Sequence, residues 1–253
     1  MIPTPIQSAL ATMLDLEVPA LLIGGQACIL YGGAEFSRDL DLMVAARADS
    51  LPPLEAALHA LEATLVALPA LRLDFLRRGH AVHYRCGRAD TDGLRIDIMT
   101  HPPRLGDLEA VWNRGVTFQL GEDTVPVIAL ADLIATKKTQ RDKDWATIGE
   151  LIEADIVAHR ASADPEHLAL WLREAREPDT LLELAAALPD LTGDEARQRP
   201  LLAIALRQDR AGLEVALAEE QIKGKRADRE YWAPLRAELE QMRHEHRRAG
   251  NQL

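Results

Sequence analysis

The chain has 253 residues, of which 47% are hydrophobic and 27% charged, and its formal net charge at pH 7 is −11. This length is enough for one substantial core or two modest domains. The negative charge argues against non-specific binding to DNA, because contacts with phosphates require lysine and arginine. No stretch of the sequence approaches the roughly 18 apolar residues of a membrane-spanning helix, so no membrane association is expected.

The two cysteines indicate a reducing compartment. Cys28 and Cys86 lie in apolar segments without a second sulfur or a histidine at metal-ligand spacing. We therefore expect reduced core thiols in a cytoplasmic protein. The N-terminal residues carry Asp15 and Glu17 and lack a basic segment, so they do not have the pattern of a secretory signal.

The first half of the chain has the pattern of alternating strands and helices. Short apolar runs with period-two alternation predict strands, and apolar positions three or four residues apart predict helices. Glycine and proline punctuate these segments. The predicted helices are 5–17, 25–31 and 50–63, the last beginning through Ser50, and the predicted strands are 20–24, 39–44, the hairpin 81–87 with 94–100, and the short pair 116–120 with 125–128.

From residue 129 the pattern is helical to the end of the chain. Residues 129–140 and 142–160 predict two helices separated by little more than Arg141, and further helices alternate with breakers at Pro165, Pro178, Pro189, Gly193 and Pro200. The predicted class is α+β: a mixed sheet with flanking helices, followed by an all-helical C-terminal region. The predicted domains are residues 1–128 and 129–253.

Three carboxylates carry the chemical signal in the sequence. Asp39 and Asp41 are two residues apart on a predicted strand, so both side chains emerge on one face. Asp97 lies within the apolar strand 94–100, where a carboxylate is costly unless it is paired, hydrogen-bonded or bound to a metal. If the two strands are neighbours, the three carboxylates can hold one or two hard cations such as Mg²⁺, with Mn²⁺ as the alternative.

A pair of glycines precedes these carboxylates. Gly24 and Gly25 end a predicted strand and begin a helix, which presents bare amide groups to an anion such as a triphosphate. Taken alone, such a pair is most often a turn, and an Asp-x-Asp on a strand is often a solvated edge. The order is more specific: strand, Gly-Gly, helix, Asp-x-Asp on a strand, and a further strand aspartate.

These residues resemble the motif of the nucleotidyltransferase superfamily that includes DNA polymerase β. Its Gly-Gly and Asp-x-Asp match Gly24, Gly25, Asp39 and Asp41, and its third acid on a neighbouring strand matches Asp97. The resemblance implies a nucleotidyltransferase-type mixed sheet, a metal site formed by the three aspartates, and transfer of NMP from an NTP to an acceptor hydroxyl. It also implies nucleotide contacts at Gly24, Gly25 and Gln26.

A second segment resembles the minimal and toxin-type (AbiEii-like) members of this superfamily. Residues 129–152 have the pattern Asp-Leu-Ile, two residues, Lys, then Arg-x-Lys-Asp. By this resemblance the nucleotide phosphates are approached by Lys137, Arg141 and Lys143, with Asp144 orienting one of them. Many such members carry arginine four residues before the first aspartate; here Glu35 stands at that position, and Arg38 is the candidate substitute.

The resemblance leaves the acceptor open. A toxin-type enzyme of a toxin–antitoxin system would add nucleotides to tRNA or another RNA and could have an antitoxin partner. An adenylyltransferase would instead use ATP to modify a small molecule, such as an aminoglycoside, or a partner protein. The alternative from another class is a non-catalytic nucleotide-binding protein on the same fold. His83, on the strand before Asp97, is expected to be a surface or core residue.

Overall fold

The computed structural model describes residues 2–34 and 36–250, with side chains to residue 248; Glu35 lies outside the described residues. The strands are β1 Ala20–Ile23, β2 Asp39–Val44, β3 Thr64–Ala67, β4 Val82–Arg85, β5 Arg95–Met99, β6 Val116–Leu120 and β7 Asp123–Val127. The helices are α1 Thr4–Asp15, α2 Gly24–Leu30, α3 Leu51–Ala60, α4 Leu73–Arg77, α5 Leu108–Arg114, α6 Leu130–Lys137, α7 Asp142–His159, α8 Pro165–Glu174, α9 Pro178–Ala187, α10 Pro189–Glu195, α11 Leu202–Leu206 and α12 Arg210–Gly250.

The seven strands form one mixed sheet in the order β3-β4-β5-β2-β1-β7-β6. The β1–β7 and β2–β5 pairs are parallel, and the other four pairs are antiparallel. The predicted hairpin is present as β4–β5, and the predicted short pair as β6–β7. The α+β class, with a mixed sheet and a helical C-terminal region, is confirmed.

Contacts divide the chain into two compact units. The first comprises Met1–Leu30, Glu35–Thr136 and Glu230–Leu253, and contains the whole sheet; the second comprises Tyr31–Ala34 and Lys137–Arg229. These limits differ from a single cut after residue 128. Whether residues 1–128 form an independent domain stays a prediction.

The strands at the centre of the sheet have one apolar and one polar face. In β2 and β5 the residues Leu40, Leu42, Ile96 and Ile98 are fully buried, while the aspartates between them are half-buried. Because successive side chains of a strand point to opposite faces, the apolar neighbours of Asp97 in sequence lie on the other face of the sheet. The alternation that predicted β2 thus also fixes the face on which its carboxylates lie.

The core of the second unit contains a buried ion-pair network. Arg199 is 5% exposed, and its guanidinium donates to the carboxylate of Glu220 at 3.0 and 2.9 Å and to the carbonyl oxygens of Leu172 and Ala175, both at 2.9 Å. Arg176 donates to the same carboxylate. A guanidinium that is removed from water requires hydrogen-bonding and charged partners of this kind. Because these partners lie at the end of α8 and on α12, the network joins the two helices.

Several local predictions need correction. The predicted entry through Ser50 is present, since Ser50 stands at the N-cap position of α3, although its hydroxyl is buried without a hydrogen bond among the described residues. The helix ends at Ala60, and the edge strand β3 and the short helices α4 and α5 were not predicted. Gly193 lies inside α10 and does not break it.

Two absences were also expected. Cys28 and Cys86 are buried, and neither forms a disulfide. None of the helices in the described part of the chain combines the length and the apolar composition needed to cross a membrane.

Candidate active site

The register of the parallel pair β2–β5 brings the predicted carboxylates to one face of the sheet. Asp41 is the direct partner of Asp97, and Asp39 is the partner of Arg95. Since Asp39 and Asp41 are two residues apart on β2, their side chains share the face on which Asp97 lies. The condition set by the sequence, that the two strands be neighbours, is met.

Asp97 is held by two cationic or proton-bearing side chains. Its Oδ1 lies 2.7 Å from Arg95 Nε and 2.8 Å from His83 Nδ1, and its side chain is 15% exposed. Burial alone would raise the pKa of Asp97, but the hydrogen bonds from His83 and Arg95 outweigh it and hold the pKa below its usual value. Asp97 is therefore an anion at neutral pH, and its Oδ2 makes no hydrogen bond within the described residues.

Arg95 is the functional candidate that the sequence prediction missed. The pKa of Arg95 is raised, chiefly by the hydrogen bond to Asp97, with contributions from the charges of Asp39 and Asp41. The guanidinium thus interacts electrostatically with all three aspartates. His83 was expected to be a surface or core residue, and it is the cross-strand partner of Asp97. The available signal was the alternation within the predicted hairpin, which puts Arg95 and Asp97 on one face.

The two glycines are required by the close approach of the β1–α2 turn to β2. Gly24 has φ +66°, and a Cβ built on it would lie 2.0 Å from Asp41 Oδ2. A Cβ on Gly25 would lie 2.3 Å from Ser37 Oγ. The Gly25 amide donates to Asp41 Oδ2 at 3.3 Å. The turn therefore fixes the position of the Asp41 carboxylate through these contacts. Binding of phosphate by the amides of Gly24 and Gly25 stays a prediction.

Gln26 and Arg38, the two other candidates for nucleotide binding in this unit, differ in exposure. The Gln26 side chain is fully buried, and its amide donates to the carbonyl oxygens of Ser37 and Asp39 at 3.1 and 3.3 Å. It fixes the segment that leads into β2. Arg38 is exposed, with its guanidinium 5.7 Å from the centre of the Phe36 ring. Their roles toward a nucleotide stay predictions.

The predicted basic residues Lys137, Arg141 and Lys143 belong to the second unit. Arg141 Nε lies 2.7 Å from Asp144 Oδ2, and Asp144 is 3% exposed, so the expected orienting contact of Asp144 is present. Within the described residues, Lys137 and Lys143 form no ion pair. Their ammonium groups remain available to an anion, and their predicted phosphate role stays a prediction.

The donor set of the aspartate cluster suits a hard cation with few protein ligands. Its donors are carboxylate oxygens, and the Asp39 carboxylate makes no hydrogen bond or ion pair within the described residues. The oxygens of Asp39, Asp41 and Asp97 do not all lie within 4.8 Å of one another, so they are not a closed three-ligand cage. Mg²⁺ is commonly held by one or two carboxylates together with substrate phosphates, and this arrangement fits that pattern.

No protein-family profile and no curated protein matches the chain. One similar solved structure is the crystal structure of a candidate nucleotidyltransferase from H. pylori. The match covers 86% of this chain and 92% of that chain, at 16% identity and a TM-score of 0.39. Another is the crystal structure of JHP933 from Helicobacter pylori. This match covers 92% of this chain and 94% of that chain, at 15% identity and a TM-score of 0.37. Scores this low carry no conclusion about function.

Proposed function

We propose that the chain is a metal-dependent nucleotidyltransferase that transfers NMP from an NTP to an acceptor hydroxyl. The observation that carries the proposal is the register Asp41–Asp97, which gathers three aspartates on one face of the sheet, with Gly24 packed against Asp41. Two like charges directly opposite each other on neighbouring strands are destabilising, so a cation bound between them has a physical reason. This agrees with the order of motifs in the sequence.

Asp39 and Asp41 are the residues that would hold a divalent ion, with Asp97 beside them. A bound ion would neutralise the carboxylates and lower the barrier to in-line attack of the acceptor hydroxyl on the α-phosphorus of the NTP, from which pyrophosphate leaves. Gly24 leaves room for the Asp41 carboxylate, because a residue with a Cβ would displace it. Gln26 fixes the backbone of Asp39 by donating to its carbonyl oxygen.

Asp97 is the residue that would receive the proton of the acceptor hydroxyl. Arg95 and His83 occupy its Oδ1 and keep it ionised, and its Oδ2 is left for a proton or a ligand. A positioned carboxylate with one free oxygen is a competent general base when a hydroxyl lies within hydrogen-bond reach. Arg95 and His83 are therefore positioning residues for Asp97.

The acceptor class remains a choice between RNA, a small molecule and a protein. We propose RNA first, because the toxin-type pattern at residues 129–152 accompanies the aspartate motif in this chain. ATP as the preferred NTP, Mg²⁺ rather than Mn²⁺, an antitoxin partner and a cytoplasmic location are parts of the same proposal. Each of them can fail while nucleotide transfer itself holds.

The test is transfer of label from each of the four α-³²P-labelled NTPs, with Mg²⁺ and a bacterial lysate as the source of acceptors. The wild-type chain is compared with the Asp39→Asn, Asp41→Asn double variant. Asp92→Asn is the matched control, because Asp92 is an exposed aspartate in the connection between β4 and β5. Products are separated into RNA, protein and small molecules, and a parallel reaction contains EDTA.

Label in one fraction with the wild type and Asp92→Asn, and not with the double variant or EDTA, supports the proposal and names the acceptor class. Equal labelling by the double variant overturns it. If no fraction is labelled although the folded chain binds an NTP, the non-catalytic nucleotide-binding alternative replaces the enzyme.

A further inference from the structure

Two histidines and an aspartate come together where α8 packs on α7, within the second unit. Asp155 and His159 are one helical turn apart on α7, and His167 lies in the first turn of α8. One ligand atom from each residue can be chosen so that all three lie within 4.8 Å of one another. Because residues i and i+4 share a helix face, α7 presents its two donors together toward the start of α8.

The carboxylate of this cluster is fixed from the side of the core. Asp155 is 7% exposed, and its Oδ2 accepts a hydrogen bond of 2.7 Å from the indole of Trp171, which is itself 2% exposed. Its Oδ1 lies 2.9 Å from His159 Nδ1. One oxygen thus anchors the side chain, while the other lies beside His159 Nδ1, which is also 3.1 Å from the Asp155 carbonyl oxygen. A carboxylate that is oriented by a neighbouring donor in this way is typical of a ligand in a metal site.

His167 is oriented by a second carboxylate. Its Nδ1 lies 2.9 Å from Asp164 Oδ1, and Asp164 also caps α8 by accepting from the backbone amide of His167 at 2.9 Å. An ionised carboxylate can only accept a hydrogen bond, so Nδ1 carries the proton and Nε2 keeps its lone pair. The His167 and His159 rings are 4.6 Å apart with 36° between their planes. A carboxylate behind the imidazole is the usual companion of a metal-bound histidine.

We propose that Asp155, His159 and His167 bind a divalent transition-metal ion of the Zn²⁺ type, with a fourth position for water. Two imidazole nitrogens and one carboxylate oxygen suit Zn²⁺ and its neighbours, whereas Mg²⁺ and Ca²⁺ prefer oxygen alone. In a tetrahedral site with bonds of roughly 2.0–2.1 Å the donors are about 3.3 Å apart. The three ligand atoms lie within 4.8 Å of one another, so coordination would draw them together and replace the contact between His159 and Asp155. This site is distinct in residues and chemistry from the all-oxygen aspartate cluster.

The ion would join α8 to α7. His167 stands near the beginning of α8, so coordination would tie that end of the helix to α7. Ligands that bind the folded state alone stabilise it in proportion to their free concentration and affinity. Removal of the ion should therefore lower the melting temperature of the folded chain.

The test uses the full chain carrying Asp39→Asn and Asp41→Asn, so that the aspartate cluster does not contribute. The protein is stripped with a chelator and titrated with Co²⁺, whose visible absorption reports four-coordinate nitrogen and oxygen ligation. We expect one equivalent of Co²⁺ with strong visible bands, displacement by Zn²⁺ and not by excess Mg²⁺, and a Zn²⁺-dependent rise in melting temperature.

His167→Gln and His159→Gln should each abolish the strong bands and the thermal shift. These variants leave the buried Asp155–Trp171 hydrogen bond in place, so the metal-free protein should still fold, as circular dichroism will show. His59→Gln, which changes an exposed histidine on α3, is the matched control and should behave as its parent does. Bands that persist in His159→Gln and His167→Gln, or no binding by the folded parent, would overturn the proposal and leave a hydrogen-bonded cluster only.

Discussion

Asp41 and Asp97 are direct cross-strand partners on the parallel strands β2 and β5. The pairing places two carboxylates opposite each other on a half-buried face, which is unfavourable unless cations compensate it. Arg95, two residues from Asp97 on β5, supplies part of that compensation. His83 reaches Asp97 through a second register, as its cross-strand partner on β4.

Asp41→Asn should reduce nucleotide transfer by about 1,000-fold or more, because a metal-assisted reaction would lose several kcal/mol of transition-state stabilisation. The amide keeps the size of the side chain and an oxygen that can accept from Gly25. In metal-free buffer the melting temperature should be unchanged or slightly higher, since repulsion worth about 0.2–1 kcal/mol is relieved. Label transfer and thermal melting measure the two effects. Unchanged transfer, or a strongly lowered melting temperature, would show that Asp41 is structural.

Gly24→Ala should destabilise the protein and remove activity together. The left-handed φ costs alanine about 1–2 kcal/mol, and the new methyl group, placed against Asp41 Oδ2, adds about 1–3 kcal/mol of overpacking. Gly121→Ala is the matched control, because Gly121 has the same φ of +66° and no atom within 4 Å of a built Cβ. Denaturant unfolding should show the smaller loss for Gly121→Ala, with transfer retained. Equal losses in both variants would argue against the contact with Asp41.

Arg95→Gln should raise the Mg²⁺ concentration required for transfer or lower the rate, by about 10–100-fold, as for other residues that orient a metal-site carboxylate. Its physical basis is the 2.7 Å bond to Asp97. Arg85→Gln is the control, because Arg85 is the exposed cross-strand neighbour of Arg95 and, among the described residues, its guanidinium donates to the Gly93 carbonyl oxygen and not to a carboxylate. The rate of nucleotide transfer, measured as a function of Mg²⁺ concentration, distinguishes the two variants. The same response from both variants would indicate a general effect of charge.

Glu220→Gln should lower the free energy of unfolding by about 2 kcal/mol at pH 7, less than the roughly 3–5 kcal/mol of a fully buried pair because Glu220 is partly exposed. Burial alone would raise the pKa of Glu220, but hydrogen bonds and charges of Arg199 and Arg176 hold it below its ordinary value of 4.5. The stabilisation is therefore complete above pH 4.5 and is lost as the pH falls through the lower folded pKa.

The measurement for Glu220 is urea unfolding of the wild type and the variant across acidic and neutral pH. The difference between them should be constant near neutrality and should shrink below pH 4.5. Glu214→Gln on the same helix is the control, since Glu214 pairs with Arg210 at the surface and should contribute less than about 0.5 kcal/mol. A difference that grows on acidification would contradict the direction of the pKa shift.

Local patterns in the sequence were sufficient for much of the sheet. The alternation in residues 39–44 predicted β2 with its observed limits, and the glycines at 24 and 25 marked the turn before α2. The edge strand β3 escaped prediction because most of its residues are exposed and it lacks the apolar alternation of a half-buried strand. Ser50 marked the start of α3 correctly, but the local sequence does not encode the burial of its hydroxyl in a 3₁₀ turn without a capping hydrogen bond.

The sequence by itself determined the α+β class, the helical second half, and the face of β2 on which Asp39 and Asp41 lie, because helix and strand periods are properties of neighbouring residues. Only the tertiary structure decided which residues meet Asp97, how close Gly24 comes to Asp41, and that His167 joins Asp155 and His159. Strand register and the packing of α8 on α7 bring together residues that are far apart or unrelated in local pattern. Those contacts depend on the whole fold, and no short segment specifies them.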